Sequence, residues 1–357
     1  KVMHMDVVEI LKKAIDERAS DIYIVAGAKI AFKTNGEMHW VSETILTPKD
    51  TRSLIEQLYR LSTGIASTVD RVDKHGEDDF SFSLSQLGRF RVNAFYQRGS
   101  LAAVLRVVRF ELPDPKDYHI PSSIIELSGL NNGLVLVTGA TGCGKSTTLA
   151  CIVDEINRTK NYHIITIEDP IEYLHRHNKS IVSQREIGHD TDDYVSALRA
   201  ALRETPNVIL VGEMRDVETV SVSLSAAETG HLVLSTLHTS SASETISRII
   251  DIFPPNQQAQ IRVQLTMSLQ AVISQRLLQG IDGKLVPCFE IMKMTPAIKT
   301  QIRDNKLHLI DNTIASSKEE GMISMDESIL NLYKQGLISQ EVALSNAINR
   351  ELLKKKL

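Results

Sequence analysis

The chain has 357 residues, 42% hydrophobic and 24% charged, with a formal net charge of −4 and only 5% aromatic residues. That length suits two domains that each bury a core, and with no apolar run long enough to span a bilayer, any membrane contact is expected to be peripheral. The slightly acidic balance offers neither the basic groove nor the stacking platform of a nucleic-acid motor. Cys143, Cys151 and Cys288 lack the spacing of a disulfide or zinc set, and Lys1–Asp6 lacks a secretory core, which makes the cytoplasm the expected compartment.

Residues 6–19 place Val7, Ile10, Leu11, Ala14 and Ile15 at helical spacing, and the β-branched run Ile22–Val25 follows as a strand. Two extended segments then flank Asn35-Gly36, a dipeptide suited to a tight hairpin turn. Thr47-Pro48 opens a second helix, with Thr47 as cap, Pro48 in the first turn and Asp50 at the third position. From Phe80 the pattern alternates through Phe82, Leu84, Phe90, Val92 and Ala94, as antiparallel strands with one wet face do. The proline-rich stretch Leu112–Pro115 can continue neither a helix nor a central strand, so residues 110–121 are expected to link two domains.

Beyond the linker, Leu134–Thr138, Ile164–Ile167, Val208–Val211 and Leu232–Leu234 are short and almost continuously apolar, as parallel strands covered on both faces must be. Helical stretches lie between them, including Tyr194–Glu204 and Val217–Thr229, the latter followed by a C-terminal Gly230. After about residue 255 the chain reads mainly as helix, notably Gln258–Leu278 and Glu341–Leu353. The basic run Lys354–Lys356 reads as a solvated helix end, and there is no internal repeat.

Gly139-Ala140-Thr141-Gly142-Cys143-Gly144-Lys145-Ser146 matches the phosphate-loop pattern directly after one predicted strand and at the start of one predicted helix. Its glycines let successive amides turn toward a β-phosphate, Lys145 reaches the β- and γ-phosphates, and the Ser146 hydroxyl suits Mg²⁺. Thr141, Gly142, Cys143, Gly144, Lys145, Ser146 and Thr147 are therefore the expected ATP contacts. Hydrolysis also needs acids near the metal and the attacking water. Glu168-Asp169 ends the second strand of this sheet, Glu172 follows Pro170, and Glu213 ends the third strand before Arg215-Asp216. Ligands of open parallel sheets bind beyond the carboxyl ends of the strands, so these acids are expected to face the loop; the plainer reading makes Asp169 and Asp216 helix caps. His238 ends the fourth strand, where a histidine can sense a γ-phosphate or simply be satisfied structure. His175, His177 and His189 lack the partner spacing of a recognised metal site. Arg89 and Arg91 share one face of a strand in the first domain, with Arg106 and Arg109 on or just after the next; such residues form a solvated face or neutralise transferring phosphoryl charge.

Taken together these segments resemble the secretion ATPases, specifically PilT-type retraction motors, along nearly the whole chain. Thr138–Thr148 looks like the family's Walker A, Ile165–Tyr173 its aspartate box, Val211–Asp216 its atypical Walker B with glutamate for aspartate, and Thr229–His238 its histidine box. The resemblance implies Glu172 as the base that orients water, with Glu168 in reserve, Glu213 as the Mg²⁺ holder, and Arg91 and Arg106 as arginines supplied to the nucleotide by the N-terminal domain. It implies an α/β fold: a RecA-like core with a parallel-type sheet (122–357, helical from about 255), preceded by a smaller PAS-like α+β domain (1–109). It further implies a homo-hexameric ring, an inner-membrane pilus platform protein as partner, a place at the cytoplasmic face of that membrane, and no nucleic acid. The family's retraction motif Ala-Ile-Arg-Asn-Leu-Ile-Arg-Glu falls on Ala297–Asp304, which keeps charge at Lys299 and Asp304 but departs at Thr300 and Gln301. Asp21-Ile22-Tyr23-Ile24 also departs, since relatives carry histidine where Tyr23 stands. The alternatives are a PilU-like accessory, an extension or type II secretion ATPase, and a RecA-like nucleic-acid motor. Extension-type ATPases usually add an N-terminal domain and a four-cysteine zinc module, and three scattered cysteines cannot build the latter.

Overall fold

A computed structural model describes residues 6–34, 36–62 and 69–357. The chain divides into two units. The first runs to Glu111 and takes in Glu172–Arg176 and Gly188–Asp190; the second comprises Leu112–Ile171, His177–Ile187 and Thr191–Leu357.

In the first unit, α1 (Val7–Asp16) leads into β1 (Asp21–Ile24), β2 (Ala31–Thr34) and β3 (Glu37–Trp40), followed by α2 (Pro48–Leu61), α3 (Val69–His75), β4 (Glu77–Leu84), β5 (Gly88–Gln97) and β6 (Ser100–Val108). The strands form one antiparallel sheet in the order β3-β2-β1-β6-β5-β4. Its apolar residues join Leu11, Leu54, Ile55 and Leu58 of α1 and α2 around Phe32, Phe80 and Phe90, all fully buried. The expected start of α2 holds in detail. Thr47 accepts from the Asp50 amide at 3.3 Å while the Asp50 carboxylate accepts from the Thr47 amide at 2.8 Å, a reciprocal cap worth about 1 kcal/mol. Of the expected Asn35-Gly36 turn, Asn35 lies outside the described residues; Gly36 has φ 87°, and Thr34 pairs with Glu37 across it. Residues 1–5, read above as lacking a secretory core, also lie outside them.

The second unit begins with a short helix α4 (Ser122–Ile125) and continues through β7 (Gly133–Thr138), α5 (Lys145–Thr159), β8 (His163–Glu168), β9 (Ile181–Glu186), α6 (Tyr194–Ala201), β10 (Val208–Val211), α7 (Val217–Glu228), β11 (Leu232–Leu237), α8 (Ala242–Asp251) and α9 (Pro255–Ser268). Then come β12 (Leu269–Gln279), β13 (Leu285–Lys293), α10 (Pro296–Arg303), α11 (Ile310–Ser316), α12 (Met325–Lys334), α13 (Gln340–Asn346) and α14 (Arg350–Lys354). The sheet order is β13-β12-β7-β11-β10-β8-β9, with every pairing parallel except β12 with β13. The neighbours of β7 are β11 and β12, neither consecutive with it. The chain leaves β7 toward β8 on one side, whereas β11 connects back past β7 to β12 on the other, and this reversal opens a crevice beyond the carboxyl ends of the strands. Apolar clusters cover both faces of this sheet, which explains the unbroken apolar runs in its strands.

The sequence reading needs correction at four places. Gln258–Leu278 is not one helix: α9 stops at Ser268, and Leu269 turns extended (ψ 128°) to begin β12, buried between β7 and β13. β12 is buried along most of its length, and its mixture of apolar and polar residues lacks the period-two alternation that distinguishes a strand from a helix. Glu341–Leu353 is two helices. Asp326 accepts the amides of Ile348 (2.7 Å) and Asn349 (2.8 Å), pulling the chain out of helix, and the Asn349 side chain then caps α14 at Leu352. Two strands carry no signal that the sequence reading uses: β9, polar along Ser183–Gln184–Arg185, and β13, which with β12 forms an antiparallel pair inside the region after 255 expected to be mainly helix.

Candidate functional site

The loop Gly139–Gly144 closes the crevice between β7 and α5. Gly139, Gly142 and Gly144 have φ of 146°, 80° and 94°, left-handed conformations that side-chain-bearing residues rarely adopt. Sterics add to this at two positions. A Cβ on Gly139 would stand 2.4 Å from the Gln275 carbonyl oxygen, and one on Gly144 would stand 2.8 Å from the Gln275 side-chain nitrogen. Gly144 gives α5 no side-chain cap, so the amides of its first turn are left to an incoming anion, favoured further by the helix dipole. Lys145 is buried, and its ammonium donates to the carbonyls of Gly139 (2.8 Å) and Ala140 (3.0 Å), tying the two ends of the loop. Thr141 and Gly142 are exposed, Cys143 is buried, and Ser146 and Thr147 are half-buried on the first turn of α5. Burial pushes the Cys143 thiol up against the opposing pull of Lys145, so this thiol stays protonated and unreactive. A cavity of about 390 Å³ adjoins the loop and is lined also by Ser240, Arg276 and Asn346.

Two strands along, the expected acids stand at the same edge of the sheet. Glu213, following β10, is largely buried. One carboxylate oxygen lies 2.6 Å from the Arg215 guanidinium and the other 3.3 Å from His238 Nε2, at the end of β11. Glu213, Arg215, Thr236 and His238 line a cavity of about 440 Å³ together with Glu244 and Arg248 of α8. Sequence order thus understated one relation: Glu213 and His238, 25 residues apart, are direct partners because β10 and β11 are adjacent and parallel. Glu168, at the end of β8, accepts from Thr166 Oγ1 (2.6 Å) and Gln184 Nε2 (3.2 Å). Asp216 takes the plainer reading. Its carboxylate caps α7 through the Thr219 amide and hydroxyl, both at 2.8 Å. Asp169 is exposed and caps no helix among the described residues. The Ser146 hydroxyl and the Glu213 carboxylate are hard oxygen donors of the kind Mg²⁺ takes, so the residues present fit that ion.

Glu172 is exposed and belongs to the stretch Glu172–Arg176 that groups with the first unit. In that unit the four arginines differ. Arg89 donates to Ser81 (2.6 Å) and Arg109 to the Ala19 carbonyl (2.6 Å), so both hold structure. Arg91 and Arg106 are directly opposite in the β5–β6 ladder, and Arg106 also faces Asp21 of β1 at 3.2 Å while its side chain stays 72% exposed. Opposed guanidinium groups repel by a few tenths of a kcal/mol to about 1 kcal/mol, a local cost that an anion bound between them would relieve. Burial lowers His175 to about 4, His177 Nδ1 accepts from the Val182 amide at 3.1 Å, and among the described residues no group of three or more His, Cys, Asp or Glu is placed to hold a metal.

Three residues of the site escaped the sequence reading. Gln275 and Arg276 lie on β12, inside the stretch taken for helix. Tyr194 opens α6, and its hydroxyl stands 2.8 Å from where a Cβ on Gly212 would be, which accounts for the glycine before Glu213. Burial, with Glu213 and Asp169 nearby, raises Tyr194 so that it remains a neutral donor. The retraction-motif stretch forms α10, where Ile298 and Ile302 are buried in the core and Gln301 donates to Thr313 at 2.8 Å.

Comparison with known proteins agrees along the chain. The family model described as "Type II/IV secretion system protein" matches residues 1–300. The type IV pilus retraction ATPase PilT of Pseudomonas aeruginosa is 42% identical over 330 residues, covering 92% of this chain and 94% of that protein. The type IV pilus ATPase PilU of the same organism is 38% identical over 346 residues, covering 96% and 89%. A crystal structure of the pilus retraction motor PilT with bound ADP superposes with a TM-score of 0.85 at 47% identity, covering 99% of this chain and 100% of that one.

Proposed function

This chain belongs to the type II/IV secretion system protein family, and from that premise we propose that it is an ATP-hydrolysing motor that powers retraction of type IV pili. The observation that carries ATP hydrolysis is the phosphate loop at the switch point of the parallel sheet, with the Glu213–His238 pair at the same sheet edge. Thr141–Thr147 bind the phosphates, and Lys145 exchanges its loop carbonyls for phosphate oxygens. Ser146 and Glu213 would hold Mg²⁺, which supplies charge neutralisation at the β- and γ-phosphates. Glu172, or Glu168 in reserve, orients the attacking water. His238 reads the γ-phosphate through Glu213, and Arg91 and Arg106 offset the charge that develops on the transferred group. The working parts are an N-terminal domain over 1–109 and an ATPase domain over 122–357 joined by 110–121. They assemble as a six-membered ring on an inner-membrane platform protein at the cytoplasmic face. No helix of the described residues is long and apolar enough to cross a membrane.

Likeness to PilU across most of the chain favours a second reading, an accessory retraction ATPase. Deleting the gene and complementing it with wild type or Glu213→Ala separates the readings. Abundant surface pili with lost motility, restored by wild type but not by Glu213→Ala, is the expected result. Bald cells would replace retraction with extension, and unchanged cells would favour the accessory.

A further inference from the structure

We infer that Gln275 is the positioning residue that presets the phosphate loop for the β-phosphate, an inference that rests on the ATPase reading above and assigns it a residue outside every recognised motif. Gln275 is 4% exposed and reaches the loop from β12, the strand paired with β7. Its carboxamide makes two short bonds: Nε2 donates to the Cys143 carbonyl at 2.7 Å, and Oε1 accepts from the Thr148 hydroxyl at 2.7 Å. The orientation of the amide is fixed chemically. A backbone carbonyl can only accept, so the nitrogen must face Cys143, and the oxygen is left for a hydroxyl that can donate.

The consequence lies in the next peptide. In a planar trans unit the C=O and N–H point in opposite directions. With the Cys143 carbonyl drawn to Gln275, the Gly144 N–H of the same unit is turned away from Gln275, and it joins the open amides that begin α5. Gly144 sits at φ 94°, and glycine permits the flipped peptide as readily as this one. A flip would aim a carbonyl lone pair where an anion must bind. Something has to hold the unit, and Gln275 is the side chain that bonds it. The same residue bounds the loop sterically at both ends, since its carbonyl oxygen and side-chain nitrogen would meet any Cβ on Gly139 and Gly144. Thr148, one turn into α5, makes the second and separable bond of this carboxamide, to the oxygen that faces away from the Cys143 carbonyl.

The β-phosphate is what the loop cradles, so the readout is the ratio of ADP affinity to AMP affinity, measured with the full chain by competition against a fluorescent nucleotide. Gln275→Met keeps an unbranched side chain of similar length and removes both bonds. ADP affinity is expected to fall roughly 10- to 100-fold, the range for a lost hydrogen bond to a charged group, while AMP affinity holds. Thr148→Val leaves the Cys143 bond intact and is expected to keep the ratio within about threefold. Should the methionine variant not fold, Gln275→Glu serves in its place; it keeps the volume but replaces the donor toward Cys143 with an acceptor, and the ratio is expected to fall at least as far. Parallel loss of ADP and AMP binding, an unchanged ratio, or an equal fall in Thr148→Val would overturn the inference and leave Gln275 a packing residue. Failure of the wild-type chain to bind ADP would overturn the ATPase reading itself.

Discussion

The two sheets place their functional groups in different ways. In the seven-stranded, mostly parallel sheet apolar clusters cover both faces, and the nucleotide-site residues expected from the sequence sit at or just beyond the carboxyl ends of β7, β8, β10 and β11. In the six-stranded antiparallel sheet the candidate groups stand on a face, in a row that crosses the strands from Asp21 through Arg106 and Arg91 to Ser81. A strand end is a fixed point set by the fold, and its residues can be largely desolvated, as Glu213 is. A face residue keeps its solvent: Arg106 is a long, mostly exposed side chain whose single carboxylate partner limits its range little. The first arrangement favours groups that must be preset, the second favours groups that must travel to a charge.

The sharpest way to break this comparison is at the strand-end site. Lys145→Ala should reduce steady-state phosphate release to background, a fall of at least about 1,000-fold in kcat, because a preset ammonium in a dry site has no substitute. A variant that retained turnover would mean that the loop is not the catalytic phosphate site.

A smaller effect should appear on β13, the edge strand of the covered sheet, which carries none of the nucleotide-site residues expected from the sequence. Glu290 on β13 is buried, and desolvation, with Asp311 adding to it, pushes its carboxyl up from 4.5 to about 7. The folded state therefore holds this proton more tightly than the unfolded chain. That contribution is fully present below about pH 4.5 and is lost as pH rises through about 7. Glu290→Gln keeps an acceptor for the Ala242 amide, bonded at 2.8 Å, and removes the charge. Urea unfolding at pH 5 and pH 8 should show the wild type losing on the order of 3 kcal/mol over that interval relative to the variant. Identical slopes would place Glu290 in a wetter site than its burial indicates.

The smallest expected change is on the arginine face. Arg91→Gln removes one of two opposed charges, so kcat should fall only about tenfold, a modest share of what strand-end groups contribute. Thermal stability should hold or rise slightly, since a like-charge cross-strand pair has been relieved. A fall in stability with unchanged kcat would make Arg91 structural, as Arg89 and Arg109 already are.

What the sequence made legible follows the same division. The phosphate loop, Glu213 and His238 could be read because short apolar runs followed by polar residues mark parallel strand ends, and because the loop has a pattern of its own. The Thr47–Asp50 cap was legible for a similar reason: the interaction is local, so its two residues appear together. Gln275 was not legible, because its partners lie far away in sequence and its strand mixes apolar and polar residues without a regular alternation. Asp216 and Arg109 could not be separated from catalytic candidates by residue type, since a cap and a metal holder are both carboxylates. Only their partners, Thr219 and Ala19, distinguished them.

The distance between Gln275 and the loop also bears on the order in which the protein is made. Every nucleotide-site residue expected from the sequence has been synthesised once the ribosome passes His238, yet the residue that bonds the Cys143 carbonyl follows that cysteine by 132 positions, on a strand that must slot in beside β7. A nascent chain that has β7, α5 and all its acids is therefore an unfinished receptor, its loop free to flip. If Gln275 presets the loop as inferred, the receptor for the β-phosphate is completed only when β12 closes a contact of high sequence separation beside β7.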